Sequence, residues 1–289
     1  MTGAAFHKPA TVEEAVALLA DAGERGRALS GGATLVALIN AGLVQPECLV
    51  SLAGIAELRR FDRLPDGTAR IGAMRRHRQT AQESDLRDGQ TVVSLAAAQI
   101  ANPPVRNMGT IGGSIAFADP AADYPPALVA ADAAIEIAGP GGRRTVPAED
   151  FFLGWYETAL GPGELVSAVL LPPAAAGSVG HYAKLCRVAG DFAIASVAIA
   201  VAVEAGAVSR LRLAVGGCAG GPVRNAEAED LLIGTALDAR AVAAAGDCIV
   251  AALDPVDDVR ASADYRRLVV PRLLRRALAE ATTPFGLAA

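Results

Sequence analysis

The stretch that decides the reading of this chain is Ile100-Ala-Asn-Pro-Pro-Val-Arg-Asn-Met-Gly-Thr-Ile-Gly-Gly-Ser-Ile-Ala-Phe-Ala-Asp-Pro-Ala-Ala-Asp-Tyr-Pro-Pro126. A glycine pair (Gly112, Gly113), two aspartates (Asp119, Asp123) and five prolines interrupt regular periodicity between helix-like runs. Such a segment is either a disordered linker or a functional loop held by a scaffold. Linkers are polar, whereas Ile111, Ile115, Phe117 and Leu128 are not, so the reading is a ligand loop. Thr110-Ile111-Gly112-Gly113-Ser114 sets hydroxyls on either side of two residues without Cβ atoms, where backbone can approach a phosphate closely. Asp123 can accept hydrogen bonds from ribose or ribityl hydroxyls, but on the residues alone a cap on a helix starting near Tyr124 is favoured. Asp119 before Pro120 reads as a turn residue.

The same chemistry recurs upstream in Ser30-Gly31-Gly32-Ala33-Thr34. Arg27-Ala28-Leu29 before it reads as a short strand, and Leu35 to Asn40 after it as the first turns of a helix ending near Gly42. Strand, glycine loop, helix is an order that points backbone amides outward, and a helix N-terminus favours an anion. Taken alone, Gly31-Gly32 reads as a tight turn. No Gly-Lys-Ser/Thr follows it, as a Walker loop requires, and Gly-x-Gly-x-x-Gly is absent. Two such loops say more than either one, since two glycine cradles can grip a diphosphate from both sides.

Around these loops the chain divides into readable units. Thr11-Val-Glu-Glu14 is a capping box, followed by an apolar face of Ala15, Leu18, Leu19 and Ala22 and stopped at Gly23. With a strand at 49–52, residues 1–54 form a small βαβ-type unit. Residues 55–72 read as a helical turn and a hairpin about Pro65-Asp66-Gly67, 74–88 as a polar helix, and 92–100 as a buried helix. A hairpin spans 134–146, the aromatic cluster Phe151 to Trp155 reads as core, and Glu164 to Leu171 is a strand closed by Pro172-Pro173. That proline- and alanine-rich break is placed as a domain boundary. Strands at 181–187, 193–203 and 208–215 then predict an antiparallel sheet, and helices follow at 226–233, 238–253 and 264–281. The last helix carries Leu268, Val269, Leu273, Leu274 and Leu278 inward, with Arg266, Arg267, Arg272, Arg275 and Arg276 as a solvated face.

Composition excludes several classes. A net charge of −5 provides no electrostatic footprint for nucleic acid. No apolar run reaches the roughly eighteen residues of a membrane span, and the N-terminal sequence lacks the charge and apolar pattern of a signal peptide. Cys48, Cys186, Cys218 and Cys248 are widely spaced, and His7, His77 and His181 lack ligand spacing. Neither an iron–sulfur cluster nor a zinc site is expected on this chain. The cysteines read as core or surface thiols in a reducing cytoplasm.

With both loops placed, the sequence resembles the FAD-binding medium subunit of molybdenum hydroxylases, the xanthine dehydrogenase and carbon monoxide dehydrogenase family. The resemblance runs in order over nearly the whole chain. It rests on Leu29-Ser-Gly-Gly-Ala-Thr-Leu-Val36, Ile100 to Ser114, Asp119-Pro-Ala-Ala-Asp123, Glu164-Leu-Val-Ser, Tyr182-Ala-Lys184, Gly216-Gly217 with Pro222-Val-Arg224, and Tyr265-Arg266. The block from Arg106 to Asp123 is the specific part.

The resemblance implies an α+β fold: a two-lobed α/β FAD-binding region of the PCMH type, then a C-terminal domain of antiparallel sheet plus helices. The expected boundaries are 1–54, 55–175 and 176–289. FAD is expected to bind non-covalently along Leu29, Ser30, Gly31, Gly32, Ala33, Thr34, Leu35 and Val36, and along Thr110, Ile111, Gly112, Gly113 and Ser114. Asp123 is expected on its ribityl or diphosphate side, Ile100 and Val166 along the cleft, and Lys184 near the flavin. A cation there would stabilise the charge of the reduced ring. Ser114 departs from the family's usual Asn, Ser30 stands where alanine is frequent, and Ala33 where a polar residue is common.

The implied role is an electron-transfer subunit with no catalytic acid or base of its own. Molybdopterin is then carried by a large partner subunit and 2Fe-2S clusters by a small one, in a dimer of heterotrimers. The alternatives are a stand-alone flavin oxidoreductase of the same broad fold and a noncatalytic binding or assembly protein.

Overall fold

A computed structural model describes residues 4–287 of the chain. The first unit is strand β1 (Ala5–His7), helix α1 (Val12–Ala22), β2 (Gly26–Leu29), helix α2 (Leu35–Asn40) and β3 (Cys48–Ser51). Its strands form a parallel sheet in the order β1-β3-β2. The Thr11 hydroxyl accepts the Glu14 amide at 3.1 Å, while the Glu14 carboxylate accepts the Ala10 amide at 2.8 Å, one residue outside the standard box. Gly23 closes α1 with φ 53°, a conformation that residues with a Cβ avoid.

The second unit begins with the hairpin β4 (Phe61–Arg63) and β5 (Ala69–Gly72). Helices α3 (His77–Ala81), α4 (Thr91–Gln99), α5 (Pro103–Met108), α6 (Ile111–Phe117) and α7 (Tyr124–Ala130) follow. Then come β6 (Ala134–Gly139), β7 (Gly142–Pro147), α8 (Ala148–Phe151), the small pair β8 (Phe152–Gly154) and β9 (Glu157–Thr158), and β10 (Leu165–Leu171). The five-stranded sheet has the order β4-β5-β10-β6-β7, with every pair antiparallel. The last strand to arrive sits in the middle and joins two local hairpins. Its residues are almost wholly apolar because both faces are covered: Val166, Val169 and Leu171 enter the main core, and Leu165 enters the core under α1.

The third unit is the meander β11 (Val179–Leu185), β12 (Ala195–Glu204) and β13 (Ala207–Gly216), followed by α9 (Ala226–Asp230), α10 (Ala239–Ala252) and α11 (Ala263–Thr282). Alternate strand residues face opposite ways, and here the two faces feed different cores. Tyr182, Ala198 and Ala214 pack with α4 and α7, whereas Ala183, Val197, Ile199, Leu213 and Val215 pack with α10 and α11. The chain breaks at Pro172-Pro173, but the hydrophobic core runs across it.

Four expectations need correction. Residues 100–126 hold three short helices in place of a loop. The prolines start helices instead of breaking them: Pro103 follows the Asn102 cap, and Pro125 and Pro126 lie in the first turn of α7, where an amide has no helical acceptor. The helix expected over 74–88 is confined to α3, because Ala73 and Met74 form a turn after β5, with Met74 donating to the Leu58 carbonyl at 2.7 Å and Arg75 to the Gly72 carbonyl at 2.9 Å. Of the aromatic cluster only Phe151 and Phe152 are core; Leu153 and Trp155 are more than half or half exposed on a hairpin too short to bury both faces. On α11 Leu268 faces solvent, while Arg266 is 3% exposed. Its guanidinium donates to the Ile194 carbonyl at 2.8 Å and to the Gly217 carbonyl, and pairs with Asp258 at 2.6 Å. A buried arginine is tolerated when carbonyls and a carboxylate occupy its donors.

Candidate cofactor site

The two glycine loops meet. Ser30 Oγ lies 2.7 Å from Thr110 Oγ1, and it also touches the Met74 sulfur at 2.9 Å. The position for a Cβ on Gly31 is filled by the Met108 carbonyl, so only glycine lets the lobes close here. A Cβ on Gly113 would stand 3.1 Å from Thr110 Oγ1 and 3.4 Å from Ser30 Cβ. Beside this contact a cavity of about 450 Å³ is lined by Ser30, Gly31, Arg59, Arg76, Met108 and Thr110, among others.

The loops are similar in sequence and opposite in hydrogen bonding. In the second, Ile111 and Gly112 donate to the Arg75 and Ala73 carbonyls at 3.0 and 2.9 Å, and Gly113 and Ser114 donate to Thr110 Oγ1 and its carbonyl at 3.1 and 3.0 Å. A Cβ on Gly112 would meet Ala73 Cβ at 2.5 Å. That glycine allows helix α6 to lie against the sheet. In the first loop the amides of Gly31, Gly32, Ala33 and Thr34 reach no acceptor among the described residues. Consecutive free amides form an anion-binding concavity, and Gly32, at φ 76°, sustains the turn that exposes them. The first loop therefore supplies donors, and the second a wall and hydroxyls. An acidic diphosphate fits such a cradle.

The remaining candidates fall in two places. Asp123 holds the N-cap position of α7 but makes no cap bond, because its carboxylate is engaged elsewhere. It accepts from the Tyr182 hydroxyl at 2.7 Å and pairs with Lys184 Nζ at 2.9 Å, with the three side chains almost fully buried. Burial raises the Asp123 pKa, opposed by the Lys184 charge and the two hydrogen bonds. Lys184 Nζ also donates to the Gln99 carbonyl at 2.8 Å, which ties the pair to the turn at Ile100. Half-buried Ile100 packs on the main core, and its carbonyl accepts from Arg106 at 2.7 Å. Ile111 and Val166 belong with their side chains to that core, so neither side chain forms an open wall. Arg59 and Arg76, which line the cavity, escaped the sequence reading as site residues, because nothing local marks either of them.

A split α+β scaffold with free amides, paired hydroxyls and arginines around one cavity defines a binding protein for a phosphate-bearing cofactor. The comparisons narrow this. A family model described as "FAD binding domain in molybdopterin dehydrogenase" matches residues 2–174, and one described as "CO dehydrogenase flavoprotein C-terminal domain" matches 180–281. The chain is 37% identical to the carbon monoxide dehydrogenase medium chain of Hydrogenophaga pseudoflava, over 94% of this chain and 95% of that one. It is also 37% identical to the 6-hydroxypseudooxynicotine dehydrogenase complex subunit alpha of Paenarthrobacter nicotinovorans, over 94% of this chain and 92% of that one. A solved Hydrogenophaga pseudoflava carbon monoxide dehydrogenase, which lacks the Mo-pyranopterin moiety, matches with a TM-score of 0.93 at 37% identity, covering 99% of each chain. The chain belongs to the FAD-binding medium subunits of the molybdenum hydroxylase family, and FAD is its cofactor. It is an oxidoreductase subunit. Among the described residues no group of three or more His, Cys, Asp or Glu side chains could hold a metal, and no helix is long and apolar enough to cross a membrane.

Proposed function

We propose that this chain is the electron-transfer flavoprotein subunit of a heteromeric molybdenum hydroxylase. It takes electrons from 2Fe-2S clusters on a small partner and delivers them to an external acceptor, and a large partner carries molybdopterin. The proposal includes a dimer of heterotrimers in the cytoplasm and the division 1–54, 55–175 and 176–289. FAD supplies the redox chemistry when bound; the protein supplies binding and electrostatics. Gly31, Gly32, Ala33 and Thr34 take its diphosphate on free amides, beside the Ser30 hydroxyl. Thr110 and Ser114 face them with hydroxyls and Gly113 with a surface that carries no Cβ, while Leu29, Leu35 and Val36 set the loop ends. Ile100, with Asp123, Lys184 and the Val166 strand behind it, forms the remainder of the groove. The observation that carries the reading is the run of free amides from Gly31 to Thr34 against the second loop.

The test is a visible spectrum of the purified full chain before and after adding FAD and desalting, repeated for Gly113→Val. The wild type should retain a flavin spectrum that denaturation releases intact. Valine should press on Thr110 and Ser30 and weaken binding at least tenfold, the loss of about one hydrogen bond to a charged group. Full retention by the variant would remove the second loop from the site. A wild type that retains no flavin, alone or with its partner subunits, would favour an assembly protein.

A further inference from the structure

The cavity between the loops carries charge that no acid balances. Its lining contains two guanidiniums, Arg59 and Arg76, and no carboxylate. Two neighbouring arginines are paired with acids: Arg60 with Asp62 at 3.5 Å and Arg75 with Glu83 at 2.5 Å. Arg59 and Arg76 have no acidic partner within 4.0 Å among the described residues. Arg59 is anchored at the rim by donating to the Ala53 carbonyl, and Ala53 itself lines the cavity. Arg76 is held at the start of α3, its amide donating to Gln79 Oε1 at 3.0 Å, while its guanidinium donates to no acceptor among the described residues. The first glycine loop, with its unpartnered amides, enters the same cavity at Ser30 and Gly31.

Two cations at one cavity of about 450 Å³, where the run of free amides begins at Gly31, suit a doubly charged, phosphate-bearing ligand. We propose that Arg59 and Arg76 are specificity-determining residues for the cofactor. They form a cationic rim that grips the diphosphate of the adenosine half, so that affinity depends on the phosphates and not on the isoalloxazine ring alone. This rests on the reading that FAD lies against the first loop. Neither arginine belongs to a glycine loop: Arg59 comes from the turn after β3 and Arg76 from the edge that leads into α3.

Deflavinated full-length chain should be titrated with FAD, with ADP in competition, and with riboflavin, at low and high salt. Wild type, Arg59→Gln, Arg76→Gln, the double variant, Arg76→Lys and the surface control Arg60→Gln are compared. Each glutamine should weaken FAD and ADP about tenfold and the double variant about a hundredfold, the loss of one charge-assisted contact apiece. The salt dependence of FAD binding should flatten in the double variant, while riboflavin binding stays the same. Arg76→Lys should recover part of the affinity, and Arg60→Gln should match the wild type. Wild-type affinity for FAD in the double variant would overturn the rim while leaving the flavoprotein reading intact. Equal weakening of riboflavin would overturn it as well, since phosphate would then not be what the arginines read. A wild type that binds neither FAD nor ADP would defeat both.

Discussion

His77 lies behind the second glycine loop, 4% exposed, with Nδ1 at 3.2 Å from the Tyr124 hydroxyl. A Cβ on Gly109 would stand 2.5 Å from its Nε2, so ring and backbone are in direct contact. Burial, with the nearby Arg106 charge, lowers its pKa from 6.5 to about 4. Above pH 6.5 the imidazole is neutral in both folded and unfolded chains. Between 6.5 and about 4 the unfolded chain binds a proton that the native one refuses, so stability falls as pH falls. The loss should approach about 3 kcal/mol over that window. Urea unfolding followed across it should show this slope, and His77→Gln should flatten it. A slope unchanged by the substitution would place the pH sensitivity elsewhere. Sequence showed only an isolated histidine without ligand spacing. Its burial against Tyr124 depends on two helices that are remote in the chain.

Helix α7 and strand β11 are joined by Asp123, Tyr182 and Lys184. Removing one member of a buried ion pair strands the other without water or counter-charge. Asp123→Ala should therefore cost about 3–5 kcal/mol, while Asp123→Leu with Lys184→Met should cost far less. Denaturant midpoints of the single and double variants decide this; equal losses would mean that packing, not charge, sets the cost. At the same scale the element types were largely legible. Capping residues, glycine stops and turn prolines act within a few residues, and α1, α10, α11 and the meander from β11 to β13 follow from them. The stretch 100–126 misled because proline has two local meanings. It breaks a helix interior and suits a first turn, and a cap such as Asn102 decides between them.

Across the whole molecule, the sheet from β11 to β13 lies between α4 and α7 on one side and α10 and α11 on the other. Units that share apolar surface lose it together, so thermal unfolding of the full chain should be one transition with calorimetric and van't Hoff enthalpies equal. Two resolved transitions would show that the units separated by Pro172-Pro173 melt independently. The family, the order of the units and the two glycine loops were determined by sequence alone, because these are carried by short runs whose glycines, hydroxyls and caps act locally. Only the tertiary structure decided that one loop keeps its amides free while the other spends them on Ala73, Arg75 and Thr110. The same holds for Asp123 against Lys184 and for Arg59 and Arg76 at one cavity. Each depends on which distant carbonyl, charge or Cβ the fold brings within hydrogen-bonding reach, and spacing along the chain does not encode that distance.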